Sequence, residues 1–213
     1  EGGLSSGNAG ESSNFLCYRA LRLNYYAVTG LLARVCLYAG QRENAFNYST
    51  EVIKASNNGI FPFVDRSLVN GTAQDPDRIF SPEVLFALSD SQRGELFEEY
   101  FDPSLAPNMV FRMETDLLEQ TIYGGTGTGG NLDDYRCRSN WISSGSARYF
   151  YKYSDMTESG RIENSMIPLL RLGEMYLIAA ESQSNSLANG VSYINTLRKN
   201  RGVSNLQTLT TTL

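Results

Sequence analysis

The chain has 213 residues, 41% of them hydrophobic and 19% charged, with 18 basic against 23 acidic side chains and a net charge of −5. That composition fits a folded protein with room for a sizeable core and excludes a broadly disordered or collagen-like chain. The acidic balance argues against nucleic acid as a partner, since clustered Lys and Arg would be needed to displace counterions from phosphates.

Histidine is absent, which excludes Ser-His-Asp and Cys-His catalysis and removes the commonest metal-ligand nitrogen. Cys17, Cys36 and Cys137 are odd in number and show no C-x-x-C spacing, so they indicate neither a zinc site nor a full disulfide framework. Cys36 reads as a buried small apolar residue, and nothing calls for a metal or cofactor. No apolar stretch approaches the roughly 20 residues of a membrane span, and residues 1 to 10 lack the regions of a signal peptide. Any export signal is expected to have been removed or to lie outside the chain. Net charge is +1 over 1–60, −8 over 61–165 and +2 over 166–213, which sets the middle of the chain apart from its flanks.

In chain order, the first predicted element is a helical hairpin over 20–55. Its first helix, within LNYYAVTGLLARVCLYAG, has few polar residues and is expected to be buried on most sides, with Leu32 in the core and Gly40 as C-terminal cap. A second helix from about Glu43 to Ala55 puts Ala45, Tyr48, Val52 and Ala55 on one stripe. So short a connection requires antiparallel packing. Leu32, Ala33, Gly40 and Ala45 fall at the large, small, turn and small positions of a tetratricopeptide-type unit of about 34 residues. Either a solenoid of such pairs or an ordinary antiparallel hairpin satisfies that spacing. Arg34 has no acid four residues away and is expected to bond carbonyls or an acid of another element.

An irregular, loop-rich insert is predicted over about 60–165, with little regular structure between 102 and 148. Gly125, Gly127 and Gly130 match G-x-G-x-x-G, but NLDDYRCRSN follows without a helical apolar pattern, so this is a loop and not a nucleotide site. Glu98-Glu99 and Asp133-Asp134 are adjacent pairs whose side chains diverge, and they read as solvated surface. Asn70-Gly71-Thr72 reads as a chance match to a glycosylation acceptor.

The same insert is rich in aromatics: Tyr123, Tyr135, Trp141, Tyr149, Phe150, Tyr151 and Tyr153, beside Asn131, Asp133, Asp134 and Arg138. Saccharides use this mixture, because a pyranose stacks its C–H face on a ring while its hydroxyls need fixed donors and acceptors. Tyr149, Phe150, Tyr151 and Tyr153 alternate like a strand and are expected to pack the insert. Trp141, the only tryptophan, has polar and Gly neighbours that place it in a solvent-facing loop. Trp141, Arg138, Tyr135, Asn131 and Tyr123 are the candidate ligand-binding residues. None is a candidate catalytic or metal-binding residue.

A second helical hairpin is predicted over 168–200. Pro168 suits the first turn of a helix with Leu169, Leu172, Tyr176 and Ala179 on one face and Arg171 beside Glu174 on another. Val191, Ile194 and Leu197 line a shorter helix ending in Arg198, Lys199 and Arg201 before Gly202. The fold class is therefore mostly α: tetratricopeptide-like hairpins around a loop-rich insert, in a single domain over 1–213.

The segments RLNYYAVTGLLARVCLYAGQRENAFNYSTEVI (22–53), SPEVLFALS (81–89), Asp134-Tyr135-Arg136, Lys152-Tyr153, IPLLRLGEMYLIAAES (167–182) and INTLRKNRGV (194–203) occur in an order that resembles the SusD/RagB-like outer-membrane glycan-binding lipoproteins of Bacteroidetes. The resemblance covers most of 20–203 and implies a central-to-C-terminal part of a longer protein. It also implies non-catalytic binding of oligosaccharide on aromatic platforms, membrane attachment through an N-terminal lipid absent from this chain, and delivery to a SusC-like TonB-dependent transporter at the outer membrane. The residues leave two other readings open: a helical-repeat scaffold that binds protein or peptide on the concave face of the helix pairs, and a glycoside hydrolase, disfavoured by the missing histidine and unpaired carboxylates.

Overall fold

A computed structural model describes residues 19–69, 75–124, 132–157, 160–183 and 186–206. Helix α1 (Tyr25–Tyr38) begins at Asn24, whose Oδ1 accepts from the Ala27 N–H at 3.0 Å while Nδ2 donates to the Leu85 carbonyl at 2.8 Å. One side chain thus caps the helix and ties it to the following sheet. Gly40, at φ +74°, supports the turn into α2 (Arg42–Asn57). Ala33 and Ala45 are fully buried, as small residues at a close helix crossing should be.

The expectation that α1 is buried on most sides fails. Its small-residue face, Ala27, Gly30, Ala33 and Cys36, is covered, whereas Leu31, Leu32, Val35 and Tyr38 are exposed, Leu32 by 41%. Only one face of α1 meets α2 and the C-terminal hairpin, and no described element covers the other.

After α3 (Arg66–Val69), Phe80 adopts φ 57° and ψ 55°, left-handed values found at no other non-glycine among the described residues. The turn that follows delivers Glu83 into the interior, where it receives both terminal nitrogens of Arg201 and the Val64 N–H. The Arg201 guanidinium lies over the Phe80 ring, 4.8 Å from its centroid, so ion pairing and stacking hold the strained residue in place.

Strand β1 (Val84–Ser89) leads to α4 (Arg93–Tyr100) and β2 (Arg112–Glu114). A short π-helical turn, Leu117–Ile122, precedes α5 (Tyr135–Asn140), β3 (Trp141–Ser144) and β4 (Ala147–Phe150). The insert is therefore more ordered than expected. Strands β2, β4 and β3 form an antiparallel sheet in that order, with Gly145 at φ +61° in the two-residue turn between β3 and β4. Buried Arg93 bonds the carbonyls of Glu163 and Met166 and the Asp155 carboxylate, fastening α4 to the segment beside β5.

The C-terminal hairpin starts later than predicted. Pro168 lies in β5 (Met166–Arg171), which pairs antiparallel with β1, and α6 begins only at Leu172. Among the described residues β5 has a single partner strand, so a residue without an N–H is tolerated there. Helices α6 (Leu172–Ser182) and α7 (Leu187–Lys199) pack closely at Gly190, where a Cβ would sit 3.0 Å from the Ala180 carbonyl oxygen. One buried cluster joins Ala33, Val52, Phe61, Leu85, Leu172 and Met175, uniting both hairpins with the β1–β5 pair. Helices predominate among the described residues.

Candidate functional site

The three-stranded sheet sets the geometry of the aromatic residues. Trp141 lies opposite Phe150, and Phe111, immediately before β2, continues the same cross-strand row, because Arg112 pairs with Tyr149. Ring centroids are 5.1 Å apart for Trp141–Phe150, 5.7 Å for Phe111–Phe150 and 5.9 Å for Phe111–Trp141. Phe101, at the end of α4, joins from behind, 5.9 Å from Phe150 and stacked at 6.3 Å on Phe97. The outer ring of the group is Phe111, 50% exposed, while Trp141 is half-buried. The opposite face of the sheet carries Ala147 and Tyr149, both buried, since successive strand residues alternate.

Polar groups border this cluster. The Tyr123 side chain lies near Trp141, and its pKa is raised chiefly by burial and then by nearby Asp134. Arg148, two residues before Phe150 and hence on the same face, is ion-paired with Glu119 of the π-helical turn. Its Nε is buried without a partner among the described residues. Ser143, cross-strand to Arg148, is exposed. Rings, hydroxyls, a guanidinium and a carboxylate within one face supply both halves of saccharide recognition.

The structure brings together two of the five sequence candidates, Trp141 and Tyr123. Trp141 is not the solvent-facing loop residue that its polar neighbours suggested, because strand pairing turns it onto Phe150. Tyr135 serves packing instead: its ring lies against Val64, Val69 and Phe80, and its N–H donates to the Arg201 carbonyl. Arg138 is exposed and engaged locally, bonding the Asp133 carboxylate at 2.5 Å and the Leu132 carbonyl at 3.1 Å. Asn131, the glycines from 125 to 130, Asn70-Gly71-Thr72 and Cys17 lie outside the described residues. Phe111, Arg148 and Glu119 were missed, because only strand register places them beside Trp141.

Two other expectations concern arginines. Arg34 reaches Glu174 through Nε and Nη2 at 2.6 and 2.7 Å and the Leu169 carbonyl at 3.1 Å, the cross-element partners expected of it. Arg171 consequently does not take Glu174, although the carboxylate is only three residues away.

No protein-family model matches the chain, and no curated protein does. Solved structures do. A SusD-like carbohydrate-binding protein from Bacteroides vulgatus superposes with a TM-score of 0.56 at 20% identity, over 89% of this chain and 39% of its own. A SusD superfamily protein from the same organism gives 0.56 at 21% identity, over 84% and 41%. Another SusD superfamily protein, from Bacteroides thetaiotaomicron, gives 0.58 at 17% identity, over 89% and 42%. This chain has the SusD-like fold and spans about two-fifths of the length of the structures it matches.

Proposed function

From the SusD-like fold, we propose that this chain belongs to a non-catalytic glycan-binding lipoprotein of the SusD/RagB type, its helix pairs being tetratricopeptide-like. It would act at the outer surface of a Gram-negative envelope, capture oligosaccharide and pass it to a SusC-like TonB-dependent transporter. The observation that carries the reading is the Phe111–Trp141–Phe150 cluster, held rigidly by a sheet and bordered by Tyr123, Arg148 and Glu119. A related fold whose solved example is described as carbohydrate-binding supports it.

In this reading a pyranose lies against Phe111 and the accessible edge of Trp141, while Arg148 and Tyr123 bond its hydroxyls. Glu119 is committed to Arg148, and glycoside hydrolysis would need a second carboxylate across the sugar, about 5 to 10 Å away. Affinity electrophoresis against a panel of polysaccharides, with hydrolysis products monitored in parallel, tests the assignment. Phe111→Ala is expected to weaken binding by about two- to tenfold, from a stacking contribution of roughly 0.5–1.5 kcal/mol, with little change in melting temperature. Trp141→Ala should lower both affinity and stability, because the indole also packs on Phe150. Unaltered affinity in both folded variants would remove this cluster as the sugar site, and released product would make the protein a hydrolase.

A further inference from the structure

Between β5, α6 and α7 lies a cavity of about 490 Å3. Leu169, Leu177, Ile194 and Leu197 give it an aliphatic wall, and among the described residues no aromatic ring lines it. Arginines 136, 171, 198 and 201 also face it. The acids are already engaged: Asp134 holds Arg136 at 2.6 Å, Glu83 holds Arg201, and Glu174 holds Arg34. Arg198 donates its Nε to the Ser204 carbonyl. Arg171 is left over. Among the described residues its guanidinium has neither hydrogen bond nor ion pair, and burial, with Arg201 nearby, lowers its pKa.

Glu83, the acid near Arg171, is already held by Arg201, and a partly buried cation without a counter-charge of its own is costly unless an anion joins it. The surface around the cavity indicates what carries that anion. Leu169 is 44% and Leu177 51% exposed. The apolar surface continues onto α1, where Leu31 and Tyr38 stand one turn either side of Arg34, which itself bonds the Leu169 carbonyl. A sugar ring would seek aromatic faces that this cavity lacks. Aliphatic side chains around a carboxylate match it instead, and polypeptide supplies that combination.

We propose that the cavity and the adjoining face of α1 dock an acidic polypeptide segment, one Asp or Glu carboxylate pairing with Arg171 while aliphatic neighbours cover Leu169 and Leu177. The cavity borders the aromatic cluster at Asp134 and Arg136, which lie near Tyr123, but Arg171 and the aliphatic wall belong to the cavity alone, so variants at Arg171 and at Phe111 test the two sites separately.

The test uses the 213-residue chain with 15N-labelled arginine and the blocked peptide acetyl-Ser-Leu-Glu-Leu-Ser-amide at about millimolar concentration, where NMR still registers weak binding. The Arg171 Nε–H resonance is expected to shift on titration, the peptide with Gln in place of Glu to bind at least tenfold more weakly, and Arg171→Met to abolish the effect. Phe111→Ala should leave the titration unchanged. Because Arg171 has no hydrogen-bond or ion-pair partner among the described residues, Arg171→Met should keep or raise the melting temperature. The proposal is overturned by no shift with the Glu peptide, by equal binding of the Gln peptide, or by a melting temperature that falls in Arg171→Met. Tighter binding of trigalacturonate at Arg171 would reassign the cavity to acidic saccharide.

Discussion

Glu83 is fully buried, and its charge is held by Arg201, itself stacked between Phe80 and Phe63 at 4.8 and 5.7 Å. Removing one partner of such a pair leaves the other charge uncompensated, so Glu83→Gln should cost about 3–5 kcal/mol in urea unfolding. A loss under 1 kcal/mol would mean that water reaches the pair. Cys137 behaves differently. Burial pushes its thiol up to about 11, against the opposing influence of the Arg148 charge. The nucleophile is the thiolate, so iodoacetamide at pH 8 should leave Cys137 and buried Cys36 unmodified in the native protein. Peptide mass mapping before and after urea denaturation checks this.

At the level of helices, the two sides of α1 differ in kind. Leu32, the large residue of the repeat-like spacing, stands 41% exposed, while Ala33 beside it is fully buried. Ala33→Asp should therefore destabilise by more than about 3 kcal/mol and Leu32→Asp by only about 1. Chemical denaturation that ranks them in the opposite order would show the face to be misassigned. Gly30 marks where α1 crosses the β1–β5 pair: a Cβ there would sit 2.9 Å from Leu170 Cδ2 and 3.2 Å from Met175 Sδ. Gly30→Val adds volume where neighbours can yield only partly, and a loss of about 1–3 kcal/mol is expected from overpacking.

At the scale of the molecule, the principal core cluster takes residues from both helical hairpins, far apart in the chain. Neither hairpin buries its apolar face without the other, so the two should open as one cooperative unit. Native-state hydrogen exchange should give the central amides of α2 and α6 the same opening free energy, and Leu172→Ala should lower both equally. A drop confined to α6 would show independent units. Helix α4 links the sheet that carries Trp141 and Phe150 to β5, because Phe101 at its end meets the Phe150 ring while Arg93 bonds the Glu163 and Met166 carbonyls.

Composition, helical periodicity and small-residue spacing sufficed for the two hairpins, the close approach at Ala33 and Ala45, the buried Cys36 and an outside partner for Arg34, because those depend on local geometry and on the cost of burying charge. Local reasoning stopped where register or long-range pairing decides. Pro168 reads as a helix start until β1, more than 75 positions earlier, turns it into a strand residue. Trp141 reads as loop until β4 pairs with it, and Phe111 gains its meaning only from the strand opposite. Arg171 and Glu174 are neighbours in sequence, yet Arg34 reaches that carboxylate across 140 positions. Such contacts form only when distant segments meet, and tertiary structure alone fixes which residues share a face and which charge is left without a partner.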